Sequence, residues 1–182
     1  MVAVCLVGIA IIVAWFLAKP SPPSEGQKIP SKGLELTSPA LDNGGKIPKE
    51  YTYDGRDVSP PLRISGADGE TLAITMTDPD AGGFVHWLIW NIPGDTENIP
   101  EGIPQSGTVK SLEGAVQGKN GFGELGYRGP KPPKGEKHEY RFTLYSLDRR
   151  LDLNAGIRKD ELLEAMEGHV IQRQVLTGTY KR

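Results

Sequence analysis

The chain has 182 residues, enough for one globular domain with its own hydrophobic core and too few for two of ordinary size. Its 23 glycines and 15 prolines favour turns and short strands over a helix bundle. The formal net charge is −2, with lysine and arginine interspersed among acidic residues, so no basic stripe follows a phosphate backbone and nucleic acid is excluded as a partner.

Residues 1–18, MVAVCLVGIAIIVAWFLA, contain no charged side chain and no proline. That is close to the ~20 apolar residues a helix needs to cross a bilayer core, and it predicts a transmembrane anchor or uncleaved signal. Trp15, Phe16 and Lys19 suit the headgroup level at its exit. A cleaved signal fits less well, because Phe16-Leu17-Ala18 is a poor cleavage site and no basic beginning precedes the apolar run. The expected localisation is therefore the cell membrane, single-pass, with the domain outside the cytoplasm. Cys5, the single cysteine, lies in this run, so no intrachain disulfide can form. Residues 19–32, KPSPPSEGQKIPSK, have the composition of a Pro/Ser-rich linker. Residues 33–182 form the domain.

Within it, Leu34 to Thr37 and Thr71 to Thr77 alternate with the period of half-buried strands. Phe84 to Trp90 is dense in β-branched and aromatic residues and stops at Asn91-Ile92-Pro93-Gly94, which predicts a central strand closed by a turn. Tyr140 to Tyr145 alternates again, and Val175 to Tyr180 gives a last strand. Asp42-Asn43-Gly44-Gly45 and the stretch from Gly129 to Gly135 are loops. One helix is expected over 158–169, with Leu162, Ala165, Met166 and His169 on one side. The fold class is mainly β with a small helical element near the C-terminus.

Three features join titratable groups to stiff backbone: Asp78-Pro79-Asp80, His86-Trp87, and His138 with Tyr140 after the proline-rich loop. Pro79 restricts Asp78, so its carboxylate is held in place, and a held carboxylate beside a histidine orients the imidazole and favours its charged form. Each feature also has a plainer explanation: a turn after a strand, a hydrogen-bonded core histidine, a surface histidine. His169 reads as a helix-end histidine favoured by the dipole. No nucleophile elbow, zinc-protease motif or phosphate loop occurs, and the chain is expected not to be an enzyme. Asp78, His86 and His138 match in type the two-histidine, one-carboxylate metal set, but their spacing does not specify its geometry, and no cofactor or metal is expected.

Four ordered segments carry a resemblance: Tyr53-Asp54-Gly55 with Asp57-Val58-Ser59-Pro60-Pro61-Leu62, then Thr77-Asp78-Pro79-Asp80-Ala81, then His86-Trp87, then Gly126 through Gly129-Pro130 and Pro132-Pro133 to His138 and Tyr140. This pattern resembles the phosphatidylethanolamine-binding protein family, in its bacterial and archaeal Raf-kinase-inhibitor-like branch, and covers residues 33–182. The resemblance implies a β-sandwich and a pocket for phosphate-like or carboxylate anions. It assigns Asp78, Pro79 and His86 to a first pocket motif, His138 and Tyr140 to a second, and Gly129 and Pro130 to the lining loop. In that assignment the histidines donate to the anion, Asp78 orients an imidazole and the aromatic residues wall the pocket.

Departures from the family pattern lie at the rim. The stretch from Asp80 to His86 is shorter and lacks a proline after Ala81, Glu139 stands where arginine is common, and Arg128 and Lys131 replace smaller residues. The expected function is a membrane-tethered protein that binds a small anion or phospholipid headgroup and regulates a partner protein. The rival expectation is an inhibitor of a serine protease or another enzyme acting through an exposed loop, with a kinase as another partner that the resemblance suggests; a hydrolase using Asp78 and His86 ranks last.

Overall fold

The structure, a computed structural model, describes residues 33–182. Ten strands and one helix follow in chain order: β1 (Glu35–Thr37), β2 (Gly45–Lys46), β3 (Leu62–Ser65), β4 (Thr71–Asp78), β5 (Phe84–Pro93), β6 (Asn98–Ile99), β7 (Thr108–Val109), β8 (Ala115–Gln117), β9 (Lys137–Leu147), α1 (Lys159–Met166) and β10 (Val170–Lys181). They form a three-stranded sheet, β1-β3-β6, and a seven-stranded sheet, β2-β10-β9-β4-β5-β8-β7. Every pairing is antiparallel except the short parallel one of β2 with β10.

One expectation is corrected. The predicted membrane segment at 1–18 and linker at 19–32 lie outside the described residues. Among the described residues no helix is long and apolar enough to cross a membrane. The α-helix has eight residues, about 12 Å of length against a hydrocarbon core of about 30 Å. The fold class of the described residues is therefore a mainly β domain with one short helix, and the expected transmembrane helix is not supported. The single-pass membrane localisation rested on that helix and is not supported by the described residues.

Two apolar clusters explain why the large sheet holds together. Leu36, Leu62, Ile64 and Ile99 of the small sheet pack with Leu72, Ile74, Met76, Trp87, Phe142 and Leu144 of the large one. On the other face, Ala73, Leu88, Trp90, Tyr145 and Leu147 meet Leu162 and Met166 of α1. The half-buried strand expected at 71–77 is consequently buried at every position of β4, because both faces of the sheet are covered. Its first threonine is satisfied there, the Thr71 hydroxyl donating to the Arg149 carbonyl at 2.6 Å.

Strands β9, β4 and β5 are neighbours, and the start of β9, the end of β4 and the start of β5 coincide at one end of the sheet. The turn from β4 to β5 is made by Pro79-Asp80-Ala81 in a 3-10 turn and then by Gly82 and Gly83 at φ of 66° and 81°. Both glycines occupy the left-handed region that a side chain disfavours.

Candidate functional site

Asp78 closes β4 and caps the turn after it: its Oδ1 accepts from the Ala81 N–H at 3.0 Å, and its Oδ2 lies 2.7 Å from His138 Nδ1. Asp80 binds the same turn to β9 by accepting from the Glu139 N–H at 2.7 Å. Asp78 is thus held at both oxygens, as the restraint of Pro79 predicts, and the imidazole it orients is His138 rather than His86.

His86 owes its direction to an irregularity in β5. Met76 lies opposite Trp87 and Thr77 opposite Val85, so His86 is the extra residue of a β-bulge. Its ring Nδ1 donates to the Arg128 carbonyl at 2.7 Å, while its main-chain oxygen accepts from the Arg128 N–H at 2.9 Å. That fixes the tautomer and leaves Nε2 without a partner among the described residues.

Arg128 is held in turn by Asp57 and Glu124, each at 2.9 Å. Asp57, in the left-handed region at φ 56°, also accepts from the Gly129 N–H at 2.6 Å. Gly129 is required there, since a Cβ would meet the Tyr51 carbonyl at 2.5 Å and Thr52 Cα at 2.6 Å.

His138 and Tyr140 lie two apart on β9 and share a face. Tyr140 packs edge-on to His86, with ring centroids 5.2 Å apart, and stacks with His138 at 6.5 Å. Its hydroxyl is buried and makes no well-formed hydrogen bond; the Asp78 carboxylate acts on it by charge and as a marginal acceptor. Burial and then the Asp78 charge push the phenol far above its usual range.

Asp78, His86 and His138 open on a cavity of about 180 Å³. Ala81, Phe84 and Phe122 complete one part of its wall, and Lys131, Pro132 and Pro133 another. Of the other residues expected at the site, Pro79, Gly129, Pro130 and Tyr140 do not line this cavity; the Pro130 carbonyl accepts from the Tyr53 N–H at 3.1 Å. Phe84, Phe122, Lys131 and the Arg128 carbonyl were not singled out in the sequence as site residues. Phe122, 41% exposed between two glycines, carried the one readable signal. A larger depression of about 570 Å³ lies against Val85 and the start of α1 but gathers none of the predicted site residues. No group of three metal-ligating side chains is disposed to hold an ion among the described residues.

The two histidines are tuned in opposite directions. Burial lowers His86 below its ordinary value of 6.5, only partly offset by the Arg128 carbonyl. The hydrogen bond to Asp78 raises His138 above it, with Glu136, 3.3 Å from Nε2, adding to the effect. The His138 pair therefore contributes stability that is complete below about 6.5 and is lost as pH rises through the folded value; His86 costs stability as pH falls below about 6.5 toward its own. NMR titration of the ring protons should give a His138 midpoint above 6.5 and a His86 midpoint below it, with Asp78→Asn bringing His138 down. Equal midpoints would contradict this electrostatic assignment.

The phosphatidylethanolamine-binding protein family profile matches residues 37–181. A UPF0098 protein of Pyrococcus abyssi is 48% identical over 150 residues, covering 80% of this chain and 84% of that protein. The crystal structure of a putative phosphatidylethanolamine-binding protein homolog from Chlamydia trachomatis has a TM-score of 0.75 at 38% identity, covering 84% of this chain and 99% of the other. An Escherichia coli structure, described as a new member of the mammalian family, has a TM-score of 0.76 at 27% identity, covering 82% and 99%. With the ordered motifs, the two-sheet fold and these matches in agreement, the chain belongs to the phosphatidylethanolamine-binding protein family, of its bacterial and archaeal type.

Proposed function

We propose that the chain is a binding protein whose cavity at Asp78, His86 and His138 takes one phosphate- or carboxylate-sized anionic group. The observation that carries this is a pair of unmet polar groups side by side: His86 Nε2 and the buried Tyr140 hydroxyl. A buried hydroxyl without a partner costs about 1–3 kcal/mol, which an anion accepting from it would recover. Phe84 and Phe122, with centroids 4.9 Å apart, wall the site against water.

Size sets the ligand class. About 180 Å³ is less than the ~300 Å³ of the smaller drug-sized pockets, but at ~30 Å³ per water it has room for an oxyanion and a short substituent. His86 and the Tyr140 hydroxyl hold the anion rather than transform it, beside the Asp78–His138 pair, and bound charge favours the protonated form of His86, so binding takes up a proton.

Calorimetric titration of the full chain with sulfate tests this, because sulfate keeps its charge across the range in which histidines titrate. Saturable one-to-one binding is expected, several-fold tighter near pH 6 than near pH 8. Folded protein giving no saturable heat with sulfate or phosphate at either pH would refute the anion site.

A further inference from the structure

We propose that Lys131, seated on the ring of Tyr53, selects ligand charge at this cavity: it suits the site to a dianionic group such as a phosphate monoester, over a monocarboxylate or a zwitterionic phosphodiester headgroup. This rests on the anion site proposed above and goes beyond it by naming the ligand class and the residue that sets it.

The charge inventory of the wall is short. The carboxylate of Asp78 is matched by His138 at 2.7 Å, and the other side of that imidazole faces Glu136 at 3.3 Å. His86 is neutral until it takes up a proton. The inner wall therefore offers an arriving anion the Tyr140 hydroxyl, and His86 Nε2 once that ring is protonated, but no surplus positive charge. Among the described residues lining the cavity, Lys131 is the one lysine or arginine. No carboxylate lies within ion-pair distance of it, whereas the cations nearby are engaged: Arg128 with Asp57 and Glu124, Arg141 with Glu139.

Lys131 is also held. Its ammonium lies 3.5 Å from the centroid of the Tyr53 ring, a cation–π contact, and the Arg128 guanidinium approaches the same ring at 5.5 Å. Pro130, Pro132 and Pro133 stiffen the chain around it, and the Tyr53 N–H is bonded to the Pro130 carbonyl at 3.1 Å. Tyr53 is 38% exposed, so burial of its ring does not account for its placement. A lysine already lodged at the mouth loses less rotamer freedom when a ligand arrives. A second negative charge on the ligand gains from it directly, and a ligand ammonium beside the phosphate is repelled.

The test compares glycerol phosphate, glycerophosphoethanolamine and acetate on the full chain, by calorimetry at two salt concentrations. The wild type should bind glycerol phosphate at least about tenfold more tightly than either of the other two, with the advantage shrinking as salt is raised. Lys131→Gln should remove about tenfold of glycerol phosphate affinity and little of acetate affinity. Because Lys131 is exposed, that change leaves the fold intact. Tyr53 is a positioning residue: Tyr53→Phe keeps the ring and should keep the preference, and Tyr53→Leu should lose it. If the wild type binds all three ligands alike, or Lys131→Gln weakens them equally, charge selection by Lys131 is overturned while the anion site stands. If the wild type binds none, the site itself fails and takes this inference with it.

Discussion

Trp87→Ala is expected to destabilise the domain by about 3–5 kcal/mol through lost packing alone. Trp87 is fully buried between the sheets, with its ring edge-on to Tyr127 at 5.8 Å. Its indole N–H donates to Gln117 Oε1 at 2.7 Å, and the Gln117 amide donates to the Pro104 and Ser106 carbonyls at 2.7 and 2.8 Å. Truncation therefore opens a cavity and also strands a buried oxygen, which adds about 1–3 kcal/mol. Against a typical total of about 5–15 kcal/mol, the variant is at the edge of folding. Trp87→Phe keeps most of the apolar surface and should lose chiefly the hydrogen bond. Urea denaturation compares the three proteins, and an alanine variant within about 1 kcal/mol of wild type would contradict the core described here.

The largest effect on binding is expected from the histidines. His86→Ala removes one charge-assisted donor, worth about 1.5–3 kcal/mol, and should lower sulfate affinity by about 10- to 100-fold. It leaves no carboxylate behind, since its one hydrogen-bond partner is the Arg128 carbonyl. His138→Ala is different: the Asp78 carboxylate, 3% exposed, loses its partner, and breaking such a buried pair costs about 3–5 kcal/mol of stability. The double replacement Asp78→Asn with His138→Leu removes both members of the pair and should regain much of that loss while remaining unable to bind. A His86→Ala protein that is folded and binds sulfate like wild type would place the anion elsewhere.

Strands long enough to show a period were legible in the sequence: β4, β5, β9 and β10 were each expected from alternation or from a dense β-branched and aromatic run. The strands β2, β3, β6, β7 and β8, of two to four residues, were not, because a period of two carries little signal over so few positions; three-residue β1 was the exception, expected from Leu34 to Thr37. Alternation also misled in one respect. In β4 it pointed to a solvated face, but α1 and its flanking loops cover that side, so the threonines there are buried, Thr71 donating to the Arg149 carbonyl rather than to water. The helix expected over 158–169 ends at Met166, and His169 pairs with Asp148 at 3.0 Å just before β10. Asp78, His86, His138 and Tyr140 were recognised as a set from their ordered motifs. What no spacing could supply was the choice of partners. The bulge that turns His86 toward the Arg128 carbonyl, and the sheet order that places β9 beside β4 so that Asp78 meets His138, are long-range consequences of the fold.

The most direct test of the anion site uses the fact that the chain has three histidines. Histidine-labelled full-length protein titrated with sulfate and followed by NMR should show the ring signals of His86 and His138 moving together and saturating at one concentration, while His169 stays in place. Movement of His169 alone, or saturable sulfate binding that leaves all three rings unmoved, would contradict an anion held between His86 and His138.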